Sequence, residues 1–290
     1  MNDTPTGTLY VVGTPIGNLE DLTFRAARIL QAADAIAAED TRHTGKLLQH
    51  FNIDTPSISY HEHNRSQRIP ELIDRLENGE TIALVSDAGM PGISDPGCEL
   101  VRACAETGIA VVPIPGASAV VTALAAAGIE SDRFAFEGFL PAKGKPRQER
   151  LEDLQSESRA IVLYEAPHRL TKTLKDLAGV LGGDRPLTVA RELTKLHEEF
   201  WRGSLTEAIA RYDRDQAKGE FTLVVAGTPP QAPTLSEESL KSQLQALRAE
   251  GYSRSAASRE LAKYTTHSRR HLYQLALALP DSTDANTDLS

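Results

Sequence analysis

Five side chains of types that accept protons in catalysis stand in turns that follow apolar, strand-like runs: Glu39, Asp40, His61, Glu165 and Glu192. A well-placed general base typically accelerates a reaction by roughly 10² to 10⁴. Residue type alone does not separate the five candidates. Asp40 has a second possible role, because an aspartate directly before a helix can cap the free N–H groups of its first turn.

Three arginines lie close to these acids in sequence: Arg42, Arg169 and Arg191. The forked guanidinium group suits the oxygens of a phosphate, so each arginine is a candidate contact to the phosphates of a nucleic acid. The alternative is that each forms an ion pair with a neighbouring glutamate, at position 39, 165 or 192.

Two further segments concentrate positive charge on a chain whose net charge is −9. The first contains Lys143, Lys145 and Arg147, and the second contains Arg269 and Arg270. Phosphate binding needs clustered Lys and Arg, so the acidic balance excludes a protein that grips nucleic acid with its whole surface. Any such contact must use local patches, and a basic segment can equally be a solvated face.

A metal site, a disulfide framework and a secreted or membrane location are not favoured. His61, His63 and His168 are of a residue type that binds metals. Their spacing does not complete a zinc ligand set, so no metal is expected. Cys98 and Cys104 match neither a zinc site nor a secreted disulfide framework, and we interpret both as small core residues. No signal peptide or long apolar span is recognisable, which predicts a cytoplasmic protein.

Short apolar runs at 9–12, 35–38, 82–85 and 110–114 alternate with helical patterns, which is typical of a mostly parallel α/β sheet. Each run ends in a turn rich in Gly, Pro, Asp or Ser. Ligands of open α/β sheets bind beyond the carboxyl ends of the strands. We therefore expect these turns to converge on one site.

A second series of strand-like runs follows at 134–139, 160–164, 187–191, 199–202 and 221–226, and indicates a second α/β domain with more antiparallel pairing. A proline-rich linker and a purely helical pattern come next, with Ser236 and Ser253 as expected N-caps. The predicted organisation is an N-terminal α/β domain at 1–122, a second α/β domain at 123–228, a helix-turn-helix-like appendage at 234–280 and a disordered tail at 281–290.

The turn from Gly13 to Gly17, with Glu39 about 20 residues further on, invites comparison with dinucleotide-binding folds. That fingerprint needs three glycines, whereas Pro15 here removes an N–H that would face a pyrophosphate. A phosphate-cradling nucleotide fold is therefore not favoured.

A set of longer motifs indicates a family other than the nucleotide-binding folds. They are LYVVGTPIGNL (9–19), AEDTR (38–42), SYHEHN (59–64), VSDAGMPGISDPG (85–97), PIPGASA (113–119), FEGFLP (136–141), YEAPHR (164–169) and RELTK (191–195). Together they resemble the tetrapyrrole methylase superfamily, and most closely its ribosomal RNA small subunit methyltransferase I group. The resemblance covers nearly the whole chain. The Gly-Asp-Pro motif of the superfamily stands here as Ser86-Asp87-Ala88.

The resemblance implies two α/β domains of the class III methyltransferase fold, with S-adenosyl-L-methionine in the cleft between them. It also implies a homodimer, and a helical extension at the C-terminus. The residues expected to contact the cofactor are Pro15, Ile16, Asp87, Gly89, Met90, Ser118, Ala119, Tyr164 and Ala166.

The implied activity is 2'-O-methylation of a cytidine ribose in 16S ribosomal RNA of the small subunit. Two alternatives remain: a methylase of a small tetrapyrrole-like molecule, and a non-catalytic RNA-binding assembly factor. The basic segments favour RNA over a small molecule, and intact cofactor loops favour an enzyme over a binding factor.

Overall fold

The computed structural model describes residues 7–213, 217–229 and 235–279. The chain forms two compact units, residues 1–228 and 229–290. The first unit contains two β-sheets, and the second contains helices. The predicted tail at 281–290 and most of the predicted proline-rich linker lie outside the described residues.

The first sheet is wholly parallel, with the strand order β3-β2-β4-β1-β5. Every residue of β2 and β4 is buried, as expected where helices cover both faces of a parallel sheet. The prediction of a mostly parallel sheet is confirmed, although the partly exposed three-residue β3 was missed. The strands are β1 (Thr8–Val12), β2 (Ala35–Ala38), β3 (Ser57–Ser59), β4 (Ile82–Val85) and β5 (Ala110–Ile114).

Four helices connect these strands: α1 (Phe24–Ala32), α2 (Thr41–His50), α3 (Arg65–Glu77) and α4 (Cys98–Glu106). Helix α2 begins after Asp40, whose carboxylate accepts a hydrogen bond from the amide of Arg42. The capping role considered for Asp40 is therefore present. Cys104 is buried, but Cys98 is exposed at the first position of α4, so the interpretation of Cys98 as a core residue was wrong.

The second sheet has the strand order β6-β7-β10-β8-β9, in which only β6 and β7 pair in parallel. The expected increase in antiparallel pairing is confirmed. Its strands are β6 (Phe134–Phe139), β7 (Ala160–Glu165), β8 (Pro186–Arg191), β9 (Glu199–Ser204) and β10 (Phe221–Val225). The helices of this half are α5 (Ala119–Ala127), α6 (Lys145–Gln155), α7 (Leu170–Leu181) and α8 (Leu205–Tyr212).

Helix α5 follows the last strand of the first sheet but packs on the second sheet. Its buried Val120 and Leu124 belong to one hydrophobic cluster with Val162 of β7 and Val224 of β10. Ile16, from the loop after β1, packs against the same cluster. The boundary predicted at residues 122–123 falls inside this helix. Because loops of the first sheet and strands of the second share this core, the loop after β1 lies beside β7 and β10.

The second unit contains α9 (Glu237–Ala249), α10 (Arg254–Leu261) and α11 (Arg269–Leu277). Leu240, Leu244, Leu261 and Leu272 form its core. The side chains of Ser236, Ser253 and Ser268 each accept a hydrogen bond from the third residue of the helix that follows, which confirms the two predicted caps. No helix within the described ranges is long and apolar enough to cross a membrane.

Candidate functional site

The loops after β1 and β4 are joined by backbone hydrogen bonds. The amide of Thr14 donates to the carbonyl of Gly89 at 2.9 Å, and the amide of Gly89 donates to the carbonyl of Thr14 at 3.1 Å. The hydroxyl of buried Thr14 donates to the carbonyl of Ser86 at 3.2 Å. These bonds hold Pro15 and Ile16 beside the 87–90 segment.

The loop after β5 joins the same group through a close approach of two backbones. A Cβ atom added at Gly13 would lie 2.7 Å from the Cα of Gly116, and one added at Gly116 would lie 2.7 Å from the carbonyl oxygen of Gly13. Only glycine is compatible with this contact. It brings Ser118 to the site, where its side chain makes no capping bond to α5, so the hydroxyl can serve a ligand.

The turn after β7 is fixed by Glu165, which is 2% exposed. One carboxylate oxygen accepts from the hydroxyl of Thr173 at 2.5 Å. The other accepts from the amide of Ala166 at 2.9 Å and pairs with Nε of Arg169 at 3.2 Å. For Arg169 the structure therefore shows the ion-pair alternative, and these bonds set the position of Tyr164.

These four loops enclose a cavity of about 390 Å³, here called the acidic cavity. Its lining includes seven of the nine predicted cofactor residues: Ile16, Gly89, Met90, Ser118, Ala119, Tyr164 and Ala166. It also includes three carboxylates, those of Asp95, Glu165 and Glu220, and no Lys, Arg or His among the described residues. Glu165 pairs with Arg169 and Glu220 pairs with Lys195, which leaves Asp95 as the carboxylate of this lining without an ion pair among the described residues. A negative charge in a cleft concentrates ions of the opposite sign, so this cavity favours a cationic ligand without phosphate.

Asp95 is an acid of this cavity whose protonation is perturbed. Burial raises its pKa to about 6, with a further contribution from the nearby negative charge of Glu39. Burial also raises the pKa of Glu39. A bound cation would lower the pKa of Asp95 again, because an adjacent opposite charge favours the ionised form.

A second cavity of about 540 Å³ adjoins the first, and Ile16, Ala88 and Glu220 line both. We call it the α2 cavity, because that helix forms one of its walls. Pro15 and Asp87, the remaining two predicted cofactor residues, line this cavity. Its other lining residues include Leu19, His43, Thr44, Lys46, Leu47 and Lys195.

Of the five predicted proton acceptors, only Glu165 lines a cavity. Glu39 accepts a hydrogen bond from the amide of Asp87 at 3.3 Å. Asp40 is engaged with the backbone and side chain of Arg42. Glu192 accepts from Nζ of Lys195 and from the amide of Glu220, both at 2.9 Å.

His61, the fifth candidate, has a buried Nδ1 without a hydrogen-bond partner. It lies close enough to Glu39 for their charges to interact. The catalytic assignment of all five residues stays a prediction.

The predicted RNA contacts are dispersed. Arg42 is highly exposed and pairs with Asp40 at 2.7 Å. Arg191 donates to the carbonyl of Lys218 at 2.7 Å and lies 3.6 Å from Glu199. Lys143 is exposed, and Lys145 pairs with Glu149 at 3.2 Å on the surface of α6.

In the second unit Arg269 donates to the hydroxyl of Ser255 at 3.1 Å, and Arg270 is exposed. Both guanidinium groups lie at the start of α11, so either could meet an anion from solvent.

Arg147 requires a correction. It is only 4% exposed, and its guanidinium donates to Asp176 at 2.8 Å, to the carbonyl of Pro141 at 2.9 Å and to Thr173 at 2.9 Å. Thr173 in turn donates to Glu165. Arg147 is therefore a buried support of the β7 turn, because its side chain points inward from α6.

Five ionisable lining residues were not singled out from the sequence: His43, Lys46, Asp95, Lys195 and Glu220. Asp95 lies within the 85–97 motif, and Lys195 ends the 191–195 motif. His43 and Lys46 follow the AEDTR motif three residues apart, which places them on one face of α2. That spacing is a signal that the sequence contained. Within the described ranges no group of three His, Cys, Asp or Glu is arranged to hold a metal ion.

Comparisons with known proteins agree with this architecture. Residues 8–209 match the family model described as Tetrapyrrole (Corrin/Porphyrin) Methylases. A uroporphyrin-III C-methyltransferase structure from Thermus thermophilus, in complex with S-adenosylhomocysteine, is 20% identical, with a TM-score of 0.55 over 75% of this chain and 97% of that one. A diphthine synthase structure is 14% identical, with a TM-score of 0.60 over 93% of this chain and 100% of that one.

Curated relatives are much closer in sequence. A protein of Synechocystis sp. named ribosomal RNA small subunit methyltransferase I is 61% identical over 94% of this chain and 98% of its own length. The protein of that name from Escherichia coli O157:H7 is 50% identical over 82% of this chain and 84% of its own. The chain therefore belongs to the tetrapyrrole methylase family and, within it, to the ribosomal RNA small subunit methyltransferase I group.

Proposed function

We propose that this protein transfers a methyl group from S-adenosyl-L-methionine to the ribose 2'-hydroxyl of a cytidine in 16S ribosomal RNA of the small subunit. Membership of a group named for small-subunit ribosomal RNA methylation supports the reaction class and the substrate. The observation that carries the proposal is the pairing of an acidic cavity with a second cavity across a shared wall. The acidic cavity suits a cationic methyl donor, and the α2 cavity lies where a methyl acceptor can reach that donor.

The residues of the acidic cavity suit this cofactor. S-adenosylmethionine supplies a methyl group that its sulfonium centre already makes reactive. Asp95 offers a negative charge to that cation, and the aromatic rings of Phe139 and Tyr164, which also line the cavity, would add an attraction to it where a ring face meets the cation. The hydroxyl of Ser118 and the loop amides offer hydrogen bonds to the polar ends of the ligand. A ligand without phosphate does not need a glycine-rich nest of amides.

The main contribution of the chain is placement of the ribose oxygen in line with the methyl group. Well-oriented pairs reach effective molarities on the order of 10⁵ to 10⁸ M, which exceeds the usual gain from a base. In the proposed transfer the new O–C bond would form as the C–S bond breaks, sulfur would keep the electron pair, and the hydroxyl proton would pass to an acceptor side chain. Glu39 is the first acceptor to test, because its pKa is raised and it contacts the loop between the cavities.

Three finer statements belong to the same proposal. Exposed cations of the chain, among them Arg42, Lys143, Lys145 and Arg270, would contact RNA phosphates in addition to the site itself. The active form would be a homodimer, which light scattering after gel filtration measures. The protein would act in the cytoplasm, where small ribosomal subunits are assembled.

The test uses purified protein, S-adenosylmethionine with a radiolabelled methyl group, and small subunits from cells that lack this modification. We expect the label in 2'-O-methylcytidine after digestion to nucleosides. Label on a base would overturn the ribose assignment. Subunit binding without transfer would indicate the assembly-factor alternative, and transfer to a tetrapyrrole alone would indicate the small-molecule alternative. Naked 16S ribosomal RNA, run in parallel, shows whether the assembled subunit is required.

A further inference from the structure

Among the described residues, the α2 cavity is lined by cationic as well as acidic side chains, unlike the acidic cavity. We propose that it receives the acceptor nucleotide, with Lys46 and His43 at the phosphate and the carboxylates of Asp87 and Glu220 at the base. This inference rests on the proposed function and names the part of the site that selects the substrate.

The α2 cavity lies next to the acidic cavity. Ile16, Ala88 and Glu220 form a wall common to both cavities, so a group in one lies next to a group in the other. In-line displacement needs donor and acceptor on opposite sides of the transferred carbon. Two adjoining cavities supply that arrangement without a rearrangement of either sheet.

The α2 cavity is large enough for one nucleotide unit. At about 540 Å³ the α2 cavity is larger than the acidic cavity, and it falls in the range of roughly 300 to 1,000 Å³ that is typical of small-ligand sites. That range is suited to one nucleotide unit. The loop that carries Pro15 and Leu19 and the helix that carries Leu47 provide apolar walls for the flat faces of a base.

The cationic side chains of the α2 cavity suit a phosphate. His43 and Lys46 are exposed on one face of α2, and in the described part of the chain neither has an ion-pair partner. Lys195, by contrast, is held by Glu192 at 2.9 Å and Glu220 at 2.8 Å. An unpaired lysine next to a cavity attracts a phosphate, and the acidic cavity contains no cationic side chain in the described residues. The backbone of the nucleic acid is therefore directed to the α2 side of the shared wall.

The acidic side chains of the α2 cavity suit one base better than another. Carboxylates accept hydrogen bonds from the exocyclic amine of cytosine, and uracil carries a carbonyl at the same position. Asp87 and Glu220 are the acids that line the α2 cavity. The amide of Asp40 donates to Asp87 at 3.1 Å and fixes its orientation. Oε2 of Glu220 already accepts from Lys195 at 2.8 Å, so Asp87 and Oε1 of Glu220 are the acceptors at this wall that favour cytosine over uracil.

The test compares Lys46→Glu with Lys172→Glu. Lys172 is exposed on α7 and lines neither cavity, so its replacement makes the same change in charge away from the site. We expect Lys46→Glu to raise KM for small subunits about tenfold or more and to leave the Kd for S-adenosylhomocysteine within about twofold, since one phosphate contact is lost. Lys172→Glu should leave both constants within about twofold.

A KM unchanged in Lys46→Glu, with active wild-type protein, would overturn the inference and leave the proposed function standing. A parallel loss of S-adenosylhomocysteine binding would also overturn it, because the α2 cavity would then hold part of the cofactor. Inactive wild-type protein would instead reject the proposed function. A second arm uses subunits with uridine at the target position: we expect kcat/KM to fall at least tenfold, and an equal rate would refute the role of the two carboxylates.

Discussion

The acidic cavity and the α2 cavity are built from the same two loops, yet they present different charges. Both use Ile16 and Ala88 from the loops after β1 and β4. The acidic cavity is completed by the β7 turn and the start of α5, and its charged side chains are all carboxylates. The α2 cavity is completed by a helix that presents Lys46 and His43. One pair of loops can thus separate a cationic ligand from an anionic one by the elements that close each side.

The segment after β8 marks the division between the cavities. Glu192 and Thr194 both have positive φ angles, 51° and 66°, and such conformations cost roughly 1 to 3 kcal/mol each in residues other than glycine. The turn places Leu193 in the acidic cavity and Lys195 in the α2 cavity. A Cβ atom added at Gly17 would lie 2.5 Å from Cγ of Lys195, so this glycine allows the turn to pack against the β1 loop.

The largest effect should come from filling the acidic cavity. Ser118→Trp places an indole where the ligand must lie, so we expect Kd for S-adenosylhomocysteine to rise at least a hundredfold, measured by calorimetry. Binding of small subunits should be retained, because the α2 cavity and the surface cations are unchanged.

Ser118→Ala is the matched control. The serine side chain makes no capping bond, so the alanine variant should keep its melting temperature and bind the ligand within about tenfold of wild type. If Ser118→Trp loses subunit binding as well, with an unchanged melting temperature, the two cavities do not act as separate sites.

The part of the site that follows from strand ends could be predicted from sequence. Parallel strands end at one edge of the sheet, so the turns that carry Ile16, Gly89 and Ser118 had to converge. The contribution of α2 could not be predicted in the same way, since it depends on which face of the helix turns toward the loops. Arg147 shows the same limit, because a basic segment does not reveal which of its side chains points inward.

A second, smaller effect concerns the charge of the acidic cavity. Asp95→Asn removes the negative charge and leaves a side chain of nearly the same shape. We expect S-adenosylmethionine to bind about tenfold more weakly at pH 8, equivalent to roughly 1.4 kcal/mol. The affinity of wild-type protein should fall as the pH drops through about 6, where Asp95 takes up a proton, and the affinity of the variant should not. Titration calorimetry between pH 5 and pH 8 measures both.

The contribution of Asp95 to the free energy of unfolding should depend on pH in the opposite sense to its contribution to cofactor affinity. The folded protein holds the Asp95 proton more tightly than the unfolded chain, so the stabilising contribution is present below the ordinary pKa of 3.8 and is lost as the pH rises through about 6. Asp95→Asn should therefore melt at a higher temperature than wild type at pH 8 and at a similar temperature at pH 4. Exposed Asp184→Asn should show neither effect, and a pH-independent difference for Asp95→Asn would contradict the assignment.

The smallest effect should come from the second unit, where Arg269 and Arg270 begin α11. If the α2 cavity supplies the central phosphate contact, these arginines add a peripheral one, and Arg269→Glu with Arg270→Glu should raise KM for small subunits only a few-fold. The slope of log K for subunit binding against log salt concentration should become less steep by about two, because two phosphate contacts are lost. Arg25→Glu with Arg28→Glu makes the same charge change on exposed positions of α1 and should alter neither quantity. A loss larger than that of Lys46→Glu would reverse the ranking and make the helical unit, rather than the α2 cavity, the principal RNA contact.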